Sequence, residues 1–171
     1  MICPICNFDN LPGSETCRHC QHDLTQLDRP VAQDRVERSL MEDLVAALKP
    51  QRAMTLPTTA TVRQAIQTML SCNIGALLIV DAGGRLLGIF SERDLLVKVA
   101  GIHDDFANLP VEQFMTPQPE TVTDEDTLAF VLHKMDCGGY RHVPVLESGR
   151  PIAMISVRDM LRHITQLCRD R

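Results

Sequence analysis

Nothing in the sequence is built to cross a membrane. Its apolar runs are short, ALLIV at 76–80 being typical, whereas a spanning helix needs about 20 apolar residues. The opening MICPICNFDN lacks the basic stretch followed by an apolar one that marks a secretory signal. An excess of positive charge is missing too. Lys and Arg number 17 against 22 Asp and Glu, a net charge of −5, so no general affinity for polyanions is expected. Motifs of reaction chemistry are absent: there is no Gly-x-Ser-x-Gly, no Gly-x-Gly-x-x-Gly and no P-loop. What remains is 171 residues, 44% hydrophobic and 23% charged, a globular composition able to bury a core.

Cysteine is the residue in excess. Four of the seven lie in the first twenty positions, as CPIC at 3–6 and CRHC at 17–20. Two thiolates separated by two residues grip one ion from a tight knuckle, and two knuckles complete a tetrahedral Zn²⁺ shell from Cys3, Cys6, Cys17 and Cys20. Local disulfides at this spacing are strained and belong to redox catalysts with a surrounding fold. His19 and His22 are then surplus to the shell and expected at the surface. So small a segment buries no core of its own, so metal binding must supply its folding free energy. Unpaired thiols suit a reducing compartment, with the cytoplasm as the expected location. MICPICNFDNLPGSETCRHCQHDL resembles the short zinc ribbons, with Asn7 and Gln21 where that family usually has Gly. The resemblance implies contact with a protein or nucleic acid. Residues 1–30 carry only Arg18 and Arg29 against Asp9, Glu15, Asp23 and Asp28, and Phe8 is their sole aromatic. Nucleic acid is therefore not expected, and a protein partner or a purely structural cap is.

Val36, Leu40, Leu44, Val45 and Leu48 recur at helical spacing before Lys49-Pro50, predicting an amphipathic linker helix within 31–50. Beyond it the sequence repeats. At an offset of 65, Val80, Gly84, Arg85, Ser91, Arg93, Asp94 and Leu96 meet Val145, Gly149, Arg150, Ser156, Arg158, Asp159 and Leu161 without a gap. At 66, Thr55 meets Thr121 and Met69 meets Met135. Such self-similarity means two copies of one supersecondary unit. Each copy reads as helix (61–73, with Val62, Ala65, Ile66, Met69 and Leu70 on one face), hairpin (ALLIV, then RLLGIF) and second helix (91–101). The fold class is α/β (α+β), two halves each burying a sheet face under its helices.

NIGALLIVDAGGRLLGIFSERDLL, FMTP at 114–117 and GYRHVPVLESGRPIAMISVRDML resemble tandem cystathionine-β-synthase (CBS) domains, a Bateman module. The expected division is ribbon 1–30, linker 31–50, first CBS domain 51–110 and second 111–171. The resemblance implies two halves packed sheet to sheet, a disc-like homodimer, and two clefts for adenosine-containing ligands such as AMP, ADP, ATP or S-adenosylmethionine. It assigns Asp94 and Asp159 to ribose hydroxyls, Ser91 and Ser156 to phosphate, and Arg141 and His142 to phosphate. Thr55, Thr121 and Val122 match the strand that frames adenine, with Ile74 to Ala76 as apolar wall. Arg93 and Arg158 stand beside each Asp and could screen phosphate charge.

Ser-x-x-Asp is also a capping box, in which the Ser accepts from the backbone three residues on. A helix N-terminus suits phosphate as well, so the two readings share residues. The first copy has Ala76-Leu77 opposite Arg141-His142, so unequal clefts are expected. No catalysis is expected. His103, His133 and His163 lie singly, and Cys72 and Cys137 read as small buried residues. Two functions follow: a ligand sensor signalling to a protein partner through ribbon or linker, or an interaction adaptor whose CBS pair only dimerises.

Overall fold

The structure, a computed structural model, describes residues 1–25, 32–102 and 105–169; Asp28, Arg29 and His103 lie outside them. The chain divides into two units, Met1–Asp34 and Arg35–Arg171.

The first unit is two linked knuckles. Ile2 pairs antiparallel with Asp9, and Thr16 with Asp23. Each knuckle closes through a backbone bond, Asn7 N–H to Cys3 O and Gln21 N–H to Cys17 O, both 2.9 Å. Closure puts Asn7 at φ +57° and Gln21 at φ +62°, the conformation for which glycine is usual. Asn bears this more readily than Gln. Cys3, Cys17 and Leu24 are fully buried and form a core of three side chains.

In the second unit, α1 (Arg35–Glu42) stops short of the predicted helix. Leu44 is extended and bridges Thr127, and a separate 3₁₀ turn, Val45–Leu48, ends at Lys49 with φ +48°. The backbone at 43–45 has another use: Val45 N–H donates to Asp126 O and Leu128 N–H to Asp43 O. Leu44 is consequently exposed, while Leu40, Val45 and Leu48 join the core of the second CBS-like half. The segment therefore belongs to that core as much as to any linker.

The strands are β1 (Gln51–Arg52), β2 (Thr55–Pro57), β3 (Ala76–Val80), β4 (Leu86–Ser91), β5 (Thr116–Pro117), β6 (His142–Glu147) and β7 (Arg150–Ser156). They form two sheets, β2-β3-β4-β5 and β1-β7-β6, and Val122 adds a parallel bridge to Val145. Edge strands are exchanged between the repeats: β1 pairs with β7, and β5 with β4. Hydrogen bonding therefore crosses the repeat boundary in both directions.

Helix α2 (Val62–Cys72) starts in a full capping box, Thr61 with Gln64, and ends at Asn73 with φ +51°. Its buried stripe is Val62, Ala65 and Met69; Leu70 is exposed. Helix α4 (Leu128–Gly138) is its counterpart, capped by Thr127 and closed by Gly139. ALLIV is apolar throughout because β3 is covered twice. Leu77 and Ile79 pack in the cluster that includes α2, and Ala76 and Leu78 in another with Met154 of β7. The second hairpin likewise sends Val143 and Val145 into the cluster that includes α4 and α5 (Val157–Arg169). On the opposite face of β6 stand His142 and the buried Pro144. Helix α3 (Glu92–Asp94) changes hydrogen-bond spacing at once, running as π-helix over Leu95–Val99 with Ala100 N–H donating to Leu95 O. Cys72 and Cys137 are exposed rather than buried, because both lie in last turns facing away from the sheets.

Candidate functional site: two clefts between the repeats

Each cleft takes one repeat motif and is completed by the other repeat. The larger, about 450 Å³, holds Ser91, Arg93, Asp94 and Lys98, and is closed by Thr116–Glu120 and by Gly138–His142. The smaller, about 220 Å³, holds Ser156, Arg158, Asp159 and Arg162, and is closed by Gln51–Met54 and by Asn73–Ala76. Of the residues assigned in the sequence to ligand contact, all but three reach a cleft. Thr55, Thr121 and Val122 line neither. Thr55 pairs in register with Leu78. Val122 is buried, its N–H donating to Pro144 O and its C=O accepting from Leu146 N–H, so its backbone has nothing left for a base.

The full capping box is present in the first motif and its reciprocal half in the second. Ser91 N–H donates to Asp94 Oδ2 at 2.9 Å, the Ser91 hydroxyl donates to the same oxygen at 2.6 Å, and Asp94 N–H returns to Ser91 Oγ at 3.3 Å. Ser156 repeats the first two contacts with Asp159 at 2.8 and 2.6 Å. The Ser hydroxyl protons are thus committed to Asp, leaving each Oγ as an acceptor only. The first helical N–H groups are also used, Glu92 to Gly75 O and Val157 to Arg141 O. These two helix starts therefore offer an anion fewer free donors than the sequence suggests.

The remaining carboxylate oxygens separate the clefts. Asp94 Oδ1 meets Lys98 Nζ at 2.7 Å and accepts from Thr116 Oγ1 at 3.0 Å. Lys98 also donates to Thr116 Oγ1 and to Phe114 O. Burial pushes the Asp94 carboxyl up, but Lys98 and Ser91 outweigh it and hold it below the usual carboxylate range. Among the described residues, Asp159 Oδ1 pairs with Arg162 alone, at 3.1 Å, whose side chain is 72% exposed. Asp159 Oδ1 is thus held by one exposed guanidinium, whereas Asp94 Oδ1 is shared by an ammonium and a hydroxyl. Lys98 and Arg162 escaped the sequence reading, although both follow their Asp at ordinary helical pair spacing.

The strand registers relocate the asymmetry. Ala76 faces Ser91, and His142 faces Ser156. His142 therefore corresponds to Ala76 and Arg141 to Gly75, with the one-residue gap in the hairpin turn; the gapless alignment with Ala76-Leu77 fails there. His142 occupies ground shared by both repeats and lines both clefts. A Cβ on Gly75 would lie 3.3 Å from its Nε2 and 3.3 Å from Glu92 Oε2, so the opposite repeat is small where this ring crosses. Burial lowers the His142 pKa, Arg141 and Arg158 add to the lowering, and Glu92 and Asp159 oppose it.

Comparison with known proteins decides the family. The CBS domain family matches residues 42–101 and 111–166. The chain belongs to the CBS domain family. A CBS domain-containing protein of Arabidopsis thaliana is 33% identical over 120 residues, covering 70% of this chain and 22% of that protein. The chain thus spans about a fifth of such plant relatives. An uncharacterized 17.7 kDa protein of Acidianus ambivalens is 31% identical over 71% of this chain and 73% of its own length. Among solved structures, a CBS-domain protein of Agrobacterium tumefaciens is 33% identical with TM-score 0.65, covering 70% of this chain and 91% of that one. A CBS domain protein of Pyrobaculum aerophilum, solved in complex with AMP, is 26% identical with TM-score 0.63, covering 72% and 98%.

Outside the CBS pair, the four N-terminal sulfurs lie within 4.8 Å of one another. Cys3–Cys20 and Cys6–Cys17 are each 3.6 Å apart, too far for a disulfide. Four sulfurs each about 2.3 Å from a central ion stand about 3.8 Å apart, so the cluster has the size a tetrahedral Zn²⁺ takes. Burial pushes the Cys17 thiol up, yet the backbone N–H groups of Cys20 and His19 and the Asn10 amide bring it down to about 6. The Phe8 backbone favours the Cys6 thiolate, but burial and the neighbouring sulfurs drive that thiol up to about 12. Only a cation lets all four ionise together. His19 and His22 are exposed, and His19 stacks on Phe8 with centroids 5.7 Å apart.

His133 and His163 are not solitary. His133 Nδ1 lies 3.6 Å from Cys137 Sγ on the face of α4. His163 Nε2 lies 2.7 Å from Ser39 Oγ, and Ser39 also donates to Asp43. Ser, His and Asp meet here without the relay order of a nucleophilic triad, since Ser39 is bonded to both partners and is buried. The contact ties α1 to α5.

Proposed function

We propose that this chain is a non-catalytic sensor whose CBS pair takes adenosine-containing ligands, while a Zn²⁺-held ribbon at Cys3, Cys6, Cys17 and Cys20 offers a surface to a protein partner. The observation that carries the reading is the smaller cleft, where among the described residues Asp159 Oδ1 is guarded by the exposed Arg162 alone and shares the lining with Arg158 and Arg52. A carboxylate for vicinal hydroxyls, guanidinium groups for phosphate and the apolar wall of Ile74, Ala76 and Met154 are what a 5′-nucleotide requires. AMP in the Pyrobaculum relative supports it as first probe. When bound, Zn²⁺ supplies the charge that lets the four thiolates coexist; the knuckles themselves orient the sulfurs. Leu70, Leu96 and Leu161 are 77%, 69% and 58% exposed on three helices of the pair, which supports association with a second copy.

Calorimetric titration tests the reading. AMP should bind the native chain, and Asp159→Ala should remove the smaller-cleft site while the fold is retained. No heat with AMP, ADP, ATP or S-adenosylmethionine would overturn it. The adaptor reading draws on Ile2, Ile5 and Leu11, each more than 60% exposed on the ribbon. It predicts a zinc-dependent protein pull-down indifferent to nucleotide.

A further inference from the structure

Among the described residues, His142 is the one that lines both clefts, and it does so with an ionisable ring. Its Nε2 edge lies close to Gly75, a residue of the smaller cleft, and the same side chain borders the larger. The charged groups around it are Arg141 on its own strand, Glu92 from α3, and Arg158 and Asp159 from α5. Resting on the ligand reading above, we propose that His142 is a single phosphate donor divided between the two clefts, so that a 5′-phosphate in one weakens the site for a 5′-phosphate in the other unless the ring is protonated.

The chemistry of the ring gives the reason. A neutral imidazole carries one N–H and one lone pair, whereas an imidazolium carries two N–H groups. The first phosphate selects the tautomer that donates to it. A second phosphate, arriving from the other side, then meets a lone pair and binds well only if a proton arrives with it. The surroundings hold the ring neutral near pH 7, burial and two guanidiniums outweighing Glu92 and Asp159. Affinity for the first 5′-phosphate therefore varies with pH chiefly through the phosphate's own second ionisation, at about pH 6, which both sites share and which cancels in their ratio. That for the second falls as pH rises through the titration of the singly loaded ring, which links the clefts through one proton.

The test is a two-site calorimetric titration of the full chain with AMP at pH 5.5 and pH 8, with adenosine as phosphate-free probe. The expected result is two comparable AMP sites at pH 5.5 and a second site weakened about tenfold at pH 8, the scale of one charge-assisted hydrogen bond. His142→Gln, which keeps the size and one amide donor, should make the ratio of the two affinities independent of pH, and adenosine should show no pH-dependent ratio. A pH-independent ratio in the native chain overturns the proposal, as does saturation at one AMP per chain, or pH dependence that survives His142→Gln. Failure of both AMP and adenosine to bind would instead remove the ligand reading on which it stands.

Discussion

Asp94 is held by a backbone amide, two hydroxyls and an ammonium, so its removal should cost more than a cap. Asp94→Ala leaves Lys98 without its carboxylate and Ser91 without its partner; an N-cap alone is worth about 1 kcal/mol. A urea titration should show the larger loss for Asp94→Ala and the smaller for Asp159→Ala, whose lost ion pair is exposed. The depressed folded pKa of Asp94 fixes the sign of its pH dependence. Its contribution is complete above the unfolded carboxylate value of about 3.9 and is lost as pH falls through the folded value. Asp94→Asn should flatten that part of the acid limb. His142 is also depressed, so its effect is complete above about 6.5 and stability declines as pH falls below that. The urea midpoint of His142→Gln should vary less than the native one between pH 7 and 5. At this scale the sequence carried the motif residues, because Ser91, Asp94, Ser156 and Asp159 recur at one spacing. It did not reveal that the hydroxyl protons point inward, since a cap and a ligand site use the same atoms. Nor could it align His142 with Ala76, because only the strand register locates the missing turn residue.

Helices and hairpins were largely legible as elements, since each repeat states its periodicity twice and ALLIV is apolar on both faces for a physical reason. The break in the linker at Leu44 was hidden, its cause being a backbone pairing with residues more than eighty positions away. The π-helical run after Asp94 was hidden too, although it accompanies the placement of Lys98 against Thr116 and Phe114. Gly88 marks where β5 presses on β4: an added Cβ would stand 3.0 Å from Thr116 O and collide with Met115. Gly88→Ala should therefore shift β5, lower the melting temperature by several degrees, and weaken nucleotide binding in the larger cleft more than in the smaller. Parallel calorimetric and thermal measurements on this one variant check both outcomes.

For the molecule as a whole, the prediction of most reach concerns the ribbon. Among the described residues, the knuckles enclose Cys3, Cys17 and Leu24 as their buried core, too little to fold by burial alone. Metal analysis should find one Zn²⁺ per chain, and a strong chelator should collapse the amide NMR dispersion of residues 1–25. Cys17→Ser should reproduce that collapse without chelator.

The crossed edge strands carry a consequence for anyone who would dissect the protein. A fragment cut at residue 110 would strip β4 of its outer neighbour, and one begun at 111 would leave β7 with an open rim. Each severed piece would present bare amides and carbonyls to any other chain in solution. The tandem copies have ceased to be portable parts, and only the intact pair closes its own seams.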